Sequence, residues 1–267
     1  MSRRDSGLMR RPSALLFALE SRAVYDAAAM VPVFPLQRLL PRGDGHPVLV
    51  LPGFLTSSYS TIPLRRLLRR LGYAAHRWKL GRNLGYSEEL RDRMLDRVLE
   101  LTERYERTVS LVGWSLGGVY ARELARERPE LVRLVISMGS PFRIHLRHDS
   151  VQPGVHQIYR LLNGDGHFED ADLVSSLAEP PPVPTSALFT KGDGVVHWES
   201  TVENSDRPDV ENIHVGGAHM GLGFNPRSMI AIADRLSQPE GDWRPFNPRG
   251  LLKLAYRNYM PEWLVGR

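Results

Sequence analysis

An α/β fold, with a mostly parallel sheet covered by helices on both faces, is expected here for three reasons. Short apolar runs that read as buried strands alternate with amphipathic stretches of helical period. The run Val109 to Val112 passes through a glycine-flanked serine straight into a helix-forming sequence, which is a strand, a sharp turn and a helix. At 267 residues the chain is long enough to bury one substantial α/β core.

The elements follow in order. Residues 1–45 read as an N-terminal extension, with a helix from Ser13 to about Met30 and a proline-rich exit at Pro32, Pro35 and Pro41. Its mixed apolar and charged faces suit docking on the body of the protein. The main domain, 46–267, opens with a strand at His46–Leu51 and a loop Pro52-Gly53-Phe54-Leu55. A helix near Ile62–Leu71 interleaves Arg65, Arg66, Arg69 and Arg70 with Leu64, Leu67, Leu68 and Leu71, a solvated face opposite an apolar one. A strand at Tyr73–Trp78 precedes a helix over Ser87–Tyr105, where Leu90, Met94, Val98, Leu101 and Tyr105 form one stripe. Ser87 suits the N-cap, and Glu88 and Glu89 suit the positive end of the helix dipole. Further strands are expected at Leu134–Met138, Thr185–Thr190 and Val210–Val215.

Between about 141 and 184 the alternation stops. Two short amphipathic pieces, Val155–Leu162 and Glu169–Leu177, lead into Pro180-Pro181-Pro182-Val183-Pro184. An insertion at this point lies above the carboxyl ends of the strands. It reads as a small helical cap whose apolar residues, Phe142, Ile144, Ile158, Leu161, Leu162, Leu173 and Leu177, shape a pocket.

The turn at Gly113-Trp114-Ser115-Leu116-Gly117 carries the chemistry. A serine held in a tight strand-to-helix turn exposes its hydroxyl above the sheet, and glycines on either side remove Cβ atoms that would collide with strand and helix. Serine is a poor nucleophile at neutral pH and needs an imidazole to take its proton. His219, in the glycine-rich loop Gly216-Gly217-Ala218-His219-Met220-Gly221 after the last strand, is the candidate base. Asp193, in Lys191-Gly192-Asp193-Gly194 just past a strand, would fix the imidazole tautomer. His197 and His214 are less well placed, and Asp165, Asp170 and Asp172 follow no clear strand. The oxyanion donors expected are the backbone amides of Leu116, directly after the serine, and of Phe54, with Leu55 next in line. Candidate substrate-pocket residues are Leu55, Trp114, Phe142 and Met220, with core packing the favoured reading of Trp114.

Composition narrows the chemistry. With no cysteine there is no disulfide, thiolate metal site or cysteine nucleophile. His145, His148, His156 and His167 lack the spacing of a metal site, so no metal is expected. The net charge of +5 and pI near 9.7 come mostly from arginine, and no nucleic-acid-binding motif accompanies it. Peripheral membrane contact is the lesser reading of those charges. The apolar run Ala14–Leu19 is cut short by Glu20 and Arg22, too short for a secretory signal, and no run approaches the ~18 apolar residues of a membrane span. A cytoplasmic protein is expected.

The run Pro47-Val48-Leu49-Val50-Leu51-Pro52-Gly53-Phe54, the turn Gly113 to Gly118 and the loop Gly217-Ala218-His219-Met220-Gly221 together resemble bacterial esterases and lipases of the α/β-hydrolase superfamily. The resemblance covers roughly residues 46 to 237. It implies an α/β-hydrolase fold and a serine carboxylic-ester hydrolase that works through an acyl-enzyme without a cofactor. The chain order Ser115, Asp193, His219 is the order of that superfamily's triad. Where many such lipases carry His-Gly after the early strand, this chain has Pro52-Gly53. A small-molecule ester with an apolar acyl group is the expected substrate. An acyltransferase using the same triad, or a non-catalytic binding protein of this fold, is the alternative.

Overall fold

The computed structural model describes residues 12–23, 25, 34–143, 151–163 and 176–248, with 250, 252–253 and 256. Strands β1 (Pro47–Leu51), β2 (Ala74–Arg77), β3 (Val109–Trp114), β4 (Val132–Met138), β5 (Thr185–Phe189) and β6 (Val210–His214) form one six-stranded sheet in the order β2-β1-β3-β4-β5-β6. Every pairing is parallel. All residues of β1, β3 and β4 are buried, as expected of central parallel strands covered on both faces.

Alternation along the strands divides the core in two. Val48, Val50, Val112, Leu134 and Ile136 face one apolar cluster, shared with α2 (Ile62–Leu71) and α6 (Pro226–Leu236). Leu49, Leu51, Leu111 and Val135 face the other, shared with α3 (Glu88–Tyr105) and α4 (Leu116–Glu127). The helix ends carry their expected chemistry. The Ser87 hydroxyl accepts from the Leu90 amide at 3.1 Å, and Gly72, at φ +102°, closes α2. Helix α6 has an Asn225 cap and Pro226 in its first turn, start signals that the sequence reading passed over.

Three expectations shift. The strand expected at 73–78 is shorter. It lies at the sheet edge and pairs only with residues 47–50, while Trp78 turns aside to donate from Nε1 to Gly81 O at 3.0 Å. The helix expected from Ser13 is α1 (Ala14–Ala18) followed by a 3-10 turn, Leu19–Arg22, where Glu20 and Arg22 are drawn into bonds with the body. Residues 26–30 of that expected helix lie outside the described residues. In the expected cap, the first piece is α5 (Pro153–Asn163); most of 169–177, with Ile144 and Leu173, lies outside the described residues. Among the described residues no helix is long and apolar enough to cross a membrane.

Candidate active site

A parallel sheet delivers the loops that follow its strands to one edge. Phe54, Ser115, Gly139, Asp193 and His219 follow β1, β3, β4, β5 and β6, in the same left-to-right order as the strands themselves.

Ser115 sits between β3 and α4 at φ +53° and ψ −123°, a conformation costing on the order of 1–3 kcal/mol. The surroundings hold it there. Its amide donates to Met138 O at 2.8 Å, and its carbonyl accepts from Gly118 at 2.9 Å. A Cβ on Gly117 would stand 2.6 Å from Leu51 O and 2.7 Å from Pro52 O, and one on Gly113 would run into the backbone of Gly117 and Gly118. Only glycine lets β1, β3 and α4 approach this closely. Ser115 itself is half-buried.

Asp193 and His219 are in direct contact. Asp193 Oδ2 bonds His219 Nδ1 at 2.6 Å, and Oδ1 accepts from the amides of Val195 at 2.9 Å and Val196 at 2.7 Å. Both residues are 3% exposed. Burial opposes a charged imidazole, but the Asp193 carboxylate, by charge and hydrogen bond, and then the charge of Glu20 outweigh it, so the ring is held above its ordinary pKa. With Nδ1 committed to Asp193, Nε2 is the nitrogen left to accept a proton. Trp114 Nε1 donates to His219 O at 3.2 Å, which ties the histidine loop to the residue preceding Ser115. Among the described residues the Ser115 hydroxyl makes no hydrogen bond to the ring. Contacts between nucleophile and base commonly tighten only once substrate is bound.

Gly139, at the end of β4, lies against the Asp193–His219 pair. Its φ is +54°, and a Cβ there would lie 3.1 Å from His219 Nδ1 and 3.2 Å from Asp193 Oδ2. Strands β3 and β5 are separated by β4, so Ser115 and Asp193 stand two strand spacings apart, about 10 Å. A side chain at the end of β4 would press on the Asp193–His219 bond.

The loop after β1 abuts the serine. A Cβ on Gly53 would lie 3.3 Å from Ser115 Cβ. Asn83 fixes the loop, accepting from the Leu55 amide at 2.7 Å and donating from Nδ2 to Pro52 O at 2.9 Å. The Leu55 amide is thereby used up, whereas the Phe54 and Leu116 amides have no acceptor among the described residues. Of the expected oxyanion donors, those two remain available.

The expected pocket residues divide. Leu55 and Met220 are exposed, at 39% and 43%. Trp114 and Phe142 are buried, at 4% and 0%. Trp114 packs edge-on against Phe224, and Phe142 lies wholly within the core beneath the Arg122 guanidinium, 3.7 Å from its ring centroid. His197 lies 3.9 Å from Glu199 and His214 packs on Phe189, so neither is bonded to Asp193. Asp165, Asp170, Asp172, His145, His148 and His167 lie outside the described residues. Among the described residues no cluster of side chains could hold a metal ion. Sequence reasoning missed Asn83, Gly139 and Glu20. Only Gly139 had a local signal, as the first residue after an apolar strand.

Comparison with known proteins adds the following. No family model matches the chain. It is 29% identical to the pimeloyl-(acyl-carrier protein) methyl ester esterase of Shewanella woodyi over 113 residues, 42% of this chain and 43% of that protein, so the match spans less than half of the relative. Among solved structures it is similar to Aspergillus fumigatus lipase B, with TM-score 0.56 and 19% identity, covering 79% of this chain and 56% of that one. It is likewise similar to the Paleococcus ferrophilus monoacylglycerol lipase, with TM-score 0.52 and 15% identity, covering 74% of this chain and 96% of that one. These neighbours are lipases of the α/β-hydrolase fold, and this chain shares that fold.

Proposed function

We propose that this chain, which has the α/β-hydrolase fold, is a serine carboxylic-ester hydrolase with Ser115 as nucleophile, His219 as base and Asp193 as its orienting partner. One observation carries the reading: a serine strained at φ +53° follows one strand of the sheet, and a buried histidine already bonded to an aspartate lies on the loops that follow two others at the same edge. Strain of this kind persists only where the surroundings over-determine it, and it concentrates at functional sites. The relatives' names, an ester esterase and two lipases, point to the same bond being cleaved.

In the first half of the reaction, Ser115 Oγ attacks the ester carbonyl carbon while its proton passes to His219. The Phe54 and Leu116 amides hold the negative charge on the carbonyl oxygen, with Leu116 also at the positive end of α4. Asp193 stabilises the imidazolium. The carbon–oxygen bond to the leaving alcohol then breaks, and His219 returns the proton to it. Water repeats the sequence on the acyl-enzyme and frees the acid.

An apolar acyl group suits the surroundings. Tyr159 of α5 packs on Phe54, ring centroids 5.3 Å apart, which supports reading α5 as part of a cap beside the proposed oxyanion loop. Ile158 and Leu162 of that helix are 42% and 48% exposed, and Leu55 and Met220 are exposed as well. The test is Ser115→Ala. It should abolish p-nitrophenyl ester hydrolysis and fluorophosphonate labelling while leaving the circular dichroism spectrum unchanged. Substantial residual turnover would assign the nucleophile elsewhere.

A further inference from the structure

The loops that carry Asp193 and His219 are not held by the sheet alone. The 3-10 turn Leu19–Arg22 of the N-terminal segment lies against both of them, and Glu20 from that turn is 8% exposed. One of its oxygens, Oε1, accepts from the Gly194 amide at 2.8 Å and from the His219 amide at 3.1 Å. The other, Oε2, accepts from the Met220 amide at 2.9 Å. A single carboxylate therefore gathers amides from the residue after Asp193, from His219 itself and from the residue after it. Arg22, on the same turn, handles the carbonyl side. Its guanidinium donates to Gly192 O and, at 3.4 Å, to Gly217 O. The fit extends to Gly194, where a Cβ would run into the backbone of Leu16 in α1.

We propose that Glu20 is a positioning residue of the active site described above: its carboxylate clamps the loop after β5 to the loop after β6 and so fixes where the His219 ring stands. The inference rests on the assignment of His219 as base. Two arguments favour this over a merely structural role. A buried carboxylate is costly to desolvate, and it is offset here by backbone donors drawn from the two loops that bear the proposed base and its acid. Its negative charge also lies on the His219 side of the site, where it favours the imidazolium that forms as Ser115 is deprotonated. The charged groups around the ring are Asp193 on Nδ1, Glu20 on the backbone of its loop, and Arg22 on the carbonyls of Gly192 and Gly217.

In Glu20→Gln the side chain keeps its shape, but an NH2 group must face a backbone N–H. The experiment compares the full wild-type chain, Glu20→Gln and Glu20→Ala by p-nitrophenyl ester kinetics across pH and by the rate of fluorophosphonate labelling. In Glu20→Gln, kcat and the labelling rate should fall by about 10- to 100-fold, with KM within about twofold of wild type. The acid limb of kcat/KM should move to lower pH, because an anion that favoured the protonated ring is gone. A carboxylate that served only the fold would leave kcat and the labelling rate of the folded variant at wild-type values. Wild-type kcat and an unmoved limb in a folded Glu20→Gln chain would overturn the proposal. Hydrogen exchange of the wild-type chain gives a reading that needs no variant to fold. Amides of 216–221 protected like those of β6 support the clamp, and exchange at open-loop rates overturns it. If the wild-type chain is itself unlabelled at Ser115, the ester-hydrolase reading fails first and the role of Glu20 with it. Labelling in wild type and in Glu20→Gln at equal rates removes Glu20 alone.

Discussion

Replacing Gly139 by alanine presses a side chain against the Asp193–His219 pair on which the proposed chemistry depends. The added Cβ has two costs. The first is backbone: at φ +54° an L-residue is disfavoured by about 1–2 kcal/mol. The second is contact, because the methyl would lie 2.6 Å from Leu222 Cδ1, 3.1 Å from His219 Nδ1 and 3.2 Å from Asp193 Oδ2. The leucine methyl can swing aside. The two polar atoms are bonded to each other at 2.6 Å, so they must move together, by about 0.3 Å to reach ordinary van der Waals contact. If a misplacement of 1 Å costs about 100-fold, 0.3 Å costs roughly fourfold, and backbone movement at the strand end takes the expected loss in kcat to about 3- to 10-fold. Overpacking adds about 1–3 kcal/mol to the stability loss. Gly241→Ala is the matched control: its φ is +82° and its Cβ would meet nothing within 4 Å. Urea denaturation should show both variants destabilised, Gly139→Ala by more, and ester hydrolysis should show only Gly139→Ala slowed. Equal kcat in Gly139→Ala and wild type would mean that the Asp193–His219 pair does not act on the serine from this position.

Two further predictions test the site's charge and its support. Because His219 is held above its ordinary pKa of about 6.5 and must be neutral to accept a proton, kcat/KM should fall as pH drops through a midpoint above 6.5. A midpoint below that value would show that burial, not Asp193, governs the ring. On the far side of α4, Arg122 pairs with Glu203 out of contact with water, side chains 0% and 1% exposed, and also donates to Glu179 O at 2.9 Å. Glu203→Ala leaves that guanidinium buried and uncompensated, so unfolding free energy should fall by about 3–5 kcal/mol, read by urea denaturation. A loss under about 1 kcal/mol would mean that solvent reaches the pair.

What the sequence disclosed was what its local pattern encodes. The continuous apolar runs of β1, β3 and β4 marked strands buried on both faces, and Ser87 marked the start of α3, because both signals are carried by neighbouring residues. The turn at Ser115 was legible for the same reason: its glycines lie two residues either side of it. Contacts between distant segments were not legible. Glu20 and Gly194 are separated by 174 positions, and nothing around Glu20 distinguishes a clamp from a charge that interrupts an apolar run. Phe142 looked like a pocket residue because it begins an insertion, yet the Arg122 guanidinium takes the face of its ring. That pairing joins an element before β4 to one after it. Asn83 is the same kind of case, a loop residue whose side chain and backbone fix another loop thirty-one positions away.

The strand order accounts for why these distant residues converge. In β1-β3-β4-β5-β6, the proposed oxyanion loop and the serine come from adjacent strands, while the aspartate and histidine come from the next adjacent pair. Strand β4 separates the pairs and contributes no reacting group. In the proposed mechanism its end must leave room for the Asp193–His219 pair, and its backbone must hold the serine in place. Both conditions are met together: Gly139 removes the side chain, its amide donates to Leu188 O at 2.9 Å, and Met138 O receives the Ser115 amide at 2.8 Å. The same strand end thus fixes the strained serine on one side and ties to β5 on the other. The end of this strand acts on both halves of the proposed triad through backbone alone.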